Sequence, residues 1–285
     1  MTPIPAWRSL LFVPADKPAL LEKAHTRGAD AIILDLEDAV PAAGKPQARA
    51  DLGNWIERLA GCGCSVVVRV NSGWLDVLAD LPAVIRPGVS ALLLPQVKDD
   101  LPVRAVSGIV AEMETAQGLP EGNIGLIPMV EGAAVLPHLP TIAALPRVVG
   151  LALGSEDYAL SLRSEPGPAV LTPVCQMMVQ ITSVRGQMAI GLVDSLTNFR
   201  DLDAYGRTCA QSRAVGMTGA LCIHPAQVAL VNQGFAISPA LLAWADKVMN
   251  AWQQAEAQGL GVCSVDGQMI DRPVVERARH ILKQG

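Results

Sequence analysis

The stretch ADAIILDLED, residues 29–38, contains a short apolar run that ends in a group of acids. A continuous run of branched apolar residues, such as residues 31–34, is typical of a parallel strand that is buried on both faces. The acids Asp35, Glu37 and Asp38 come directly at its end. This stretch therefore predicts a buried parallel strand with polar groups at its carboxyl end.

Similar apolar runs recur along the chain, with amphipathic stretches such as residues 18–27, 45–59 and 202–215 between them. The eight predicted strands are Ser9–Val13, Ala31–Asp35, Ser65–Val70, Ala91–Pro95, Ile124–Val130, Val148–Gly154, Met188–Val193 and Ala220–Ile223. Alternating strands and helices indicate an α/β protein with a parallel sheet. Eight such units within about 225 residues favour a closed (β/α)8 TIM barrel, with a doubly wound open sheet as the alternative.

The last part of the chain differs from this pattern. We predict a barrel domain over residues 1–238 and a C-terminal helical arm over residues 239–285. The arm is expected to contain two helices, Pro239–Gln258 and Pro273–Lys283, with a polar segment, Ser264–Asp271, between them. Because an arm outside a complete barrel must bury its apolar face, we expect it to dock on a neighbouring subunit.

The composition excludes several classes of protein. The 285 residues have a formal net charge of −5 and no basic cluster, which argues against a nucleic-acid partner. The first eight residues lack the apolar core of a signal peptide, and no uninterrupted apolar stretch reaches the length of about 18 residues that a membrane span needs. The six cysteines have no spacing typical of zinc or disulfide frameworks. We therefore expect a cytoplasmic protein.

Carboxylates dominate the polar residues that follow the predicted strands. They are Asp35, Glu37, Asp38, Glu131, Glu156, Asp157 and Asp194. Acids that converge at one rim repel each other, and a hard cation such as Mg²⁺ relieves that repulsion. Arg69 ends the third strand, where its planar guanidinium suits a substrate carboxylate, although a structural ion pair also explains it. A metal and an arginine together indicate a small anionic oxyacid.

Other acids in this set also have structural interpretations that stay open on the sequence alone. Glu131 and Asp157 also suit positions near a helix amino terminus, where the dipole favours negative charge. At least one acid of residues 35–38 is expected to be structural and to pair with Arg8 or Lys45.

Seven segments, taken in order, resemble the citrate lyase β-subunit group of the HpcH/HpaI aldolase/citrate lyase superfamily. They are RSLLFVP (8–14), ADAIILDLEDAV (29–40), VRVN (68–71), MVE (129–131), LGSEDY (153–158), CIHPAQ (222–227) and DGQMIDRP (266–273). The resemblance covers nearly the whole chain. It implies a (β/α)8 barrel that assembles as a homotrimer or as a hexamer.

The resemblance also implies roles for single residues. Glu131 and Asp157 are expected to bind Mg²⁺, and Arg69 to bind the carboxylate of an oxoacid. Asp271 is expected to come from the neighbouring chain and to transfer a proton, while Glu37 orients a water on the metal.

The resemblance also implies contacts for the thioester part of the substrate. Arg8, Lys17 and Gly132 are expected to bind substrate near the barrel mouth. The fourth strand departs from the family pattern, because it ends in Leu94-Pro95-Gln96 where relatives end in Leu-Pro-Lys. This departure removes a positive charge from the predicted site.

The function implied is Mg²⁺-dependent carbon–carbon cleavage of a 3-hydroxy acyl-CoA thioester, such as citramalyl-CoA or malyl-CoA, into a 2-oxoacid and an acyl thioester. One alternative is the β-subunit of a citrate lyase complex that acts on a citryl-acyl-carrier protein. A malate synthase-like or thioesterase activity on the same site is another. A non-enzymatic sensor of metal and oxoacid is disfavoured, because a sensor has no need of Asp271.

Overall fold

Eight parallel strands form one sheet in the first 235 residues of the chain. They are β1 Ser9–Pro14, β2 Ala31–Asp35, β3 Ser65–Arg69, β4 Val89–Leu94, β5 Gly125–Val130, β6 Gly150–Leu153, β7 Met188–Ile190 and β8 Ala220–Cys222. The strand order is β7-β6-β5-β4-β3-β2-β1-β8, and a parallel bridge between Ile190 and Gly219 joins the two ends. The predicted (β/α)8 barrel is therefore confirmed, and the open sheet is excluded.

The computed structural model describes residues 4–197 and 200–284. Its first unit, Met1–Phe235, contains the barrel, and its second unit is Ala236–Gly285. The helices of the first unit are α1 Pro18–Ala24, α2 Lys45–Gly61, α3 Trp74–Val84, α4 Asp100–Ala116, α5 Leu139–Ala143, α6 Ser155–Ser161, α7 Pro168–Ser183, α8 Leu202–Val215 and α9 Pro225–Phe235. Short 3-10 helices occupy His25–Arg27, Ala42–Gly44 and Ala133–His138.

The strands are buried on both faces, as the apolar runs predict. In β2, Ala31 and Ile33 point into the barrel, whereas Ile32 and Leu34 pack in the layer between strands and helices. The parallel register places Asp35 level with both Pro14 of β1 and Arg69 of β3. Polar residues that follow the strands therefore meet at one rim of the barrel.

The second unit has a hydrophobic core of its own. It contains helix α10 Pro239–Ala257, an antiparallel hairpin of β9 Cys263–Val265 and β10 Gln268–Ile270, and helix α11 Arg272–Gln284. The hairpin occupies the segment that we predicted only as polar, Ser264–Asp271, and for which we assigned no strands. Its turn residues, Asp266 and Gly267, both have positive φ angles, 49° and 78°, as an Asp-Gly hairpin turn requires.

One helical stretch, Pro225–Ala257, is long and apolar enough to cross a membrane by length and composition alone. It consists of α9 and α10, which are separated by residues 236–238. Helix α9 buries Val228, Val231 and Phe235 in the barrel core, as helices of globular proteins commonly do.

Candidate active site

A cavity of about 390 Å³ opens at the carboxyl ends of the strands. Its lining residues are Phe12, Pro14, Asp35, Asp38, Ala39, Arg69, Met129, Glu131, Gly154, Ser155, Glu156, Asp157, Leu196, Leu221 and Ile223. Most of the acids that the sequence places after strands meet here, together with Arg69. The barrel geometry makes this rim the expected position of an active site.

Arg69 lies at the centre of the ionic network. Its Nε and Nη2 atoms donate to the two carboxylate oxygens of Asp35, at 2.7 Å and 2.6 Å. Its Nη1 atom is 2.9 Å from Glu37 and 3.6 Å from Asp38. The guanidinium also lies over the Phe12 ring, 4.9 Å from the centroid. Burial opposes the charge of Arg69, but the hydrogen bonds to Asp35 and the negative charges of Asp35, Glu37 and Asp38 together outweigh it and raise the pKa, so the guanidinium stays charged.

These contacts correct the predicted ion pairs of residues 35–38. Asp35, Glu37 and Asp38 all pair with Arg69. Arg8 pairs with Asp30 instead, at 2.8 Å, and the Lys45 ammonium donates to the Asn71 side chain. The prediction of pairing with Arg8 or Lys45 is therefore wrong, because Arg69 is level with Asp35 across neighbouring strands.

Glu131 directly follows β5 and is held by the backbone of the neighbouring strand. The Gln96 N–H donates to its Oε2 atom. Gln96 adopts a left-handed conformation, with φ 51°, which is uncommon for a residue other than glycine. Burial raises the pKa of Glu131 to about 7, and the nearby charge of Asp157 adds to this rise.

Asp157 and Glu156 lie in the first turn of α6. Burial and the charge of Asp38 raise the pKa of Asp157. The Glu156 Oε1 atom accepts hydrogen bonds from the hydroxyls of Ser155 and Ser195, at 3.1 Å and 2.7 Å. The two neighbouring carboxylates therefore differ in environment: Glu156 is hydrogen-bonded to hydroxyl groups, whereas Asp157 lies near other acids.

Glu37 is a buried acid beside Arg69, although it does not line the cavity. Burial raises its pKa to about 8 against the opposing charge of Arg69, and repulsion from Asp38, Glu131 and Asp35 adds to the rise. A group with this pKa exchanges a proton near neutral pH.

The residues present fit a divalent cation. Besides burial, the negative charge of Asp157 raises the pKa of Glu131, so the two carboxylates repel each other. A bound cation relieves such a repulsion. Gly154 makes room for Glu131, because a Cβ atom on this glycine would be 2.6 Å from the Glu131 Cγ atom. The described residues contain no preformed group of three or more His, Cys, Asp or Glu ligands, but Mg²⁺ commonly uses one or two carboxylates and completes its shell with water and substrate.

The structure does not bring every predicted substrate contact to the cavity. Arg8 precedes β1, so it lies at the amino-terminal edge of the barrel, opposite the cavity, where it pairs with Asp30. Lys17 lies on the correct side, after β1, but it pairs with Asp16 and does not line the cavity. Gly132 follows Glu131 in an extended conformation and is also outside the lining.

Asp271 belongs to the second unit, directly before helix α11. Its carboxylate accepts from the Val274 N–H at 3.3 Å, and its carbonyl accepts from the Val275 N–H at 3.0 Å. Asp271 therefore begins this helix, and its role in catalysis stays a prediction.

Our sequence analysis assigned no role to two residues that shape the cavity. Leu196 lines it, and Gln227 is fully buried with its side-chain amide donating to the Leu196 carbonyl at 2.7 Å. A signal for Gln227 was present, because it shares the buried face of α9 with Val228 and Val231. A polar side chain on such a face needs hydrogen-bond partners in the core.

The fold and this cavity define a (β/α)8-barrel enzyme with an acidic active site. The sequence matches the HpcH/HpaI aldolase/citrate lyase family over residues 8–225. The chain belongs to this family.

Relatives with established names agree with this assignment. The chain is 30% identical to the citrate lyase subunit beta of Leuconostoc mesenteroides subsp. cremoris, over 97% of this chain and 92% of the relative. It is 34% identical to a (3S)-malyl-CoA thioesterase of Cereibacter sphaeroides, over 97% and 93%. The crystal structure of CitE from Mycobacterium tuberculosis, in complex with magnesium, acetoacetate and coenzyme A, is 28% identical with a TM-score of 0.72, over 98% of this chain and 97% of CitE.

Proposed function

We propose that this protein is a Mg²⁺-dependent carbon–carbon lyase that cleaves a 3-hydroxy acyl thioester with a carboxylate on the hydroxyl-bearing carbon. The observation that carries this proposal is the convergence of Glu131, Asp157 and Arg69 on one cavity at the barrel rim. The likeness to a CitE structure in complex with magnesium and coenzyme A supports the same chemistry.

Glu131 and Asp157 would hold the cation, which would supply Lewis-acid stabilisation of negative charge on substrate oxygens. Arg69 binds the substrate carboxylate. Two of its five N–H donors are bonded to Asp35, and its Nη1 atom forms an ion pair with Glu37, which fixes the guanidinium plane and leaves N–H donors on the Nη atoms for substrate. Because Phe12 covers one face of the guanidinium, the arginine is also held against rotation.

Cleavage then needs two proton transfers. The substrate hydroxyl loses its proton, and the electron pair of the carbon–carbon bond moves into the thioester, which leaves as an enolate. The hydroxyl-bearing fragment becomes a 2-oxoacid. We assign protonation of the enolate carbon to Asp271 of a neighbouring subunit, and proton exchange beside Arg69 to Glu37, whose pKa of about 8 suits it.

The proposal includes the setting in which the enzyme acts. The substrate is an acyl-CoA or an acyl-carrier thioester, and the second is the form that the resemblance to the citrate lyase β-subunit group implies. We also propose a homotrimer or hexamer in the cytoplasm, since Asp271 is assigned to a neighbouring chain.

Thioester hydrolysis is the second candidate function. It is favoured by the 34% identity to a (3S)-malyl-CoA thioesterase over nearly the whole chain. The two activities share an acidic cavity and differ in the bond that breaks, so their products distinguish them.

The test is an assay of the purified protein with citramalyl-CoA and malyl-CoA, with and without Mg²⁺. We expect metal-dependent release of pyruvate or glyoxylate, and loss of this release in Asp157→Asn. The matched control is Asp203→Asn, because Asp203 also lies in the first turn of a helix, α8, but is exposed. Release of free CoA without a 2-oxoacid overturns the lyase assignment in favour of the thioesterase.

A further inference from the structure

The cavity lining divides into two chemically different halves. Strands β2, β3, β5 and β6 and the loops after them supply the acids and Arg69. Strands β7, β8 and β1, which are consecutive around the barrel, supply an apolar wall that we define as Leu196, Leu221, Ile223 and Phe12. A substrate bound at the polar half therefore presents its remaining substituents to apolar side chains.

The apolar wall is fixed by one buried amide. The Gln227 side chain accepts from the N–H groups of Ile223 and His224, at 2.9 Å and 3.0 Å, and donates to the Leu196 carbonyl at 2.7 Å. Gln227 is fully buried, and all three of its bonds are to backbone groups. The loops after β7 and β8 are thereby tied together, so the wall has a defined position.

The charged residues that line the cavity restrict how many carboxylates a bound substrate can have. Among the described residues that line the cavity, five are acids, Asp35, Asp38, Glu131, Glu156 and Asp157, and Arg69 is the single cation. One substrate carboxylate is satisfied by Arg69 and a divalent cation. A second carboxylate meets either further acids or the apolar wall, and the described lining offers it no second cation.

We infer that the cavity selects thioesters whose hydroxyl-bearing carbon carries one carboxylate and a hydrogen or small apolar substituent, and discriminates against those with a second carboxylate. The inference rests on the proposed function and deepens it. The selected class contains malyl and citramalyl thioesters, in which the substituent is hydrogen or methyl, and excludes citryl thioesters, in which it is carboxymethyl.

The first experiment measures kcat/KM for malyl-CoA, citramalyl-CoA and citryl-CoA at saturating Mg²⁺, with the 2-oxoacid as the detected product. We expect citryl-CoA to be cleaved at least about tenfold less efficiently than the better of the other two. Comparable or better cleavage of citryl-CoA overturns the inference and leaves the lyase assignment intact. Absence of cleavage of all three, both as CoA thioesters and as acyl-carrier thioesters, overturns the proposed function, and the inference with it.

A variant tests whether the wall causes the discrimination. Ile223→Lys places a cation in the wall at a position that is 42% exposed, so the fold tolerates the charge. We expect the ratio of kcat/KM for citryl-CoA to that for citramalyl-CoA to rise about tenfold. The matched control, Val184→Lys, adds the same charge at an exposed position just before β7, at the opposite rim of the barrel, and leaves the ratio unchanged. An unchanged ratio in Ile223→Lys contradicts the assigned role of the wall.

Discussion

Glu131 owes its position to two backbone features and not to a side-chain partner. The left-handed conformation of Gln96 directs its N–H to the carboxylate, and Gly154 provides the space in which the carboxylate lies. Uncommon backbone conformations are retained at functional sites, where the surrounding structure stabilises them. Gln96 therefore contributes through its backbone, whereas the resemblance drew attention only to its side chain.

Gly154→Ala is expected to reduce Mg²⁺ affinity by at least about tenfold, because its Cβ atom would lie 2.6 Å from the Glu131 Cγ atom and 3.0 Å from Oε1. Isothermal titration of the purified variant with Mg²⁺ measures this. Gly167→Ala is the matched control, since Gly167 also precedes a helix and its Cβ atom would meet nothing within 4 Å. Equal affinities in the two variants would falsify the assignment of Glu131 as a ligand.

The acids of the site also predict a pH dependence. The pKa of Glu131 is raised from 4.5 to about 7, so Mg²⁺ must displace a proton from it below neutral pH. We expect Mg²⁺ affinity to rise about fivefold between pH 6 and pH 7, about tenfold between pH 6 and pH 8, and to level off above pH 8. Titrations in two buffers with different ionisation enthalpies measure both the affinity and the released proton. A constant affinity between pH 6 and pH 8 contradicts this expectation.

The same shifts affect the stability of the metal-free protein. The folded chain holds the protons of Glu131 and Glu37 more tightly than the unfolded chain, with pKa values of about 7 and about 8 against 4.5. Their contribution to the free energy of unfolding is therefore complete below pH 4.5 and is lost as the pH rises through 8. The stabilisation that Mg²⁺ adds is expected to be larger at pH 8 than at pH 6.

The strands are the elements that the sequence predicts best, because burial on both faces requires continuous apolar runs. β2 is predicted to the residue, as Ala31–Asp35. The prediction for β7 runs three residues too far, since the N–H of Val193 donates to Ser212 in α8 and the chain has left the sheet. The hairpin of β9 and β10 was missed because its strands are short and partly exposed, although the Asp266-Gly267 turn is visible in the sequence.

A buried aspartate ties β3 to the helices that follow it. Asp80 of α3 is fully buried and accepts two hydrogen bonds from Asn71, from its backbone N–H and its side-chain amide, each at 2.8 Å. It also pairs with Arg49 of α2 at 2.6 Å. Because Asn71 lies two residues after Arg69, this network fixes the end of the strand that carries the arginine.

Asp80→Ala is expected to lower the free energy of unfolding by about 3 to 5 kcal/mol, because it leaves buried donors of Asn71 and Arg49 without an acceptor. Urea unfolding followed by circular dichroism measures the change. Asp76 is the other acid that pairs with Arg49, and its side chain is 52% exposed. Asp76→Ala is therefore expected to lower the free energy of unfolding by less than about 1 kcal/mol. Similar losses in both variants would show that the ion pair to Arg49, and not the bonds to Asn71, stabilises this region.

The sequence locates the polar half of the active site far better than the apolar half. Acids after strands must meet at one rim of a barrel, and Glu131, Asp157 and Arg69 do so. Arg8 was expected in the same place, but it comes before its strand, and strand direction puts it at the opposite rim. Leu196 carries no comparable signal, and the position of Gln227 on the buried face of α9 predicts only that its amide needs partners in the core, not that it positions the cavity wall.

The second unit carries Asp271, which we assign to the active site of a neighbouring chain. Its helices and hairpin enclose their own core, which includes Val248, Trp252, Ile270 and Val275. Asp271 lies between the hairpin and α11, so its position depends on that core. If Asp271 acts on the cavity of a neighbouring chain, two different chains supply the groups of one active site.

Complementation tests this arrangement. Asp157→Asn and Asp271→Asn are each expected to be inactive alone, because one lacks a metal ligand and the other the proton donor. When the two variants are co-expressed in equal amounts, random assembly joins an intact cavity to an intact Asp271 in about a quarter of the sites. We therefore expect about a quarter of wild-type activity in the unfractionated co-expressed protein, and about a third in mixed trimers that are purified through two affinity tags. Mixed oligomers without activity would contradict a site shared between subunits, since an Asp271 that serves its own chain can never meet the intact cavity of the other.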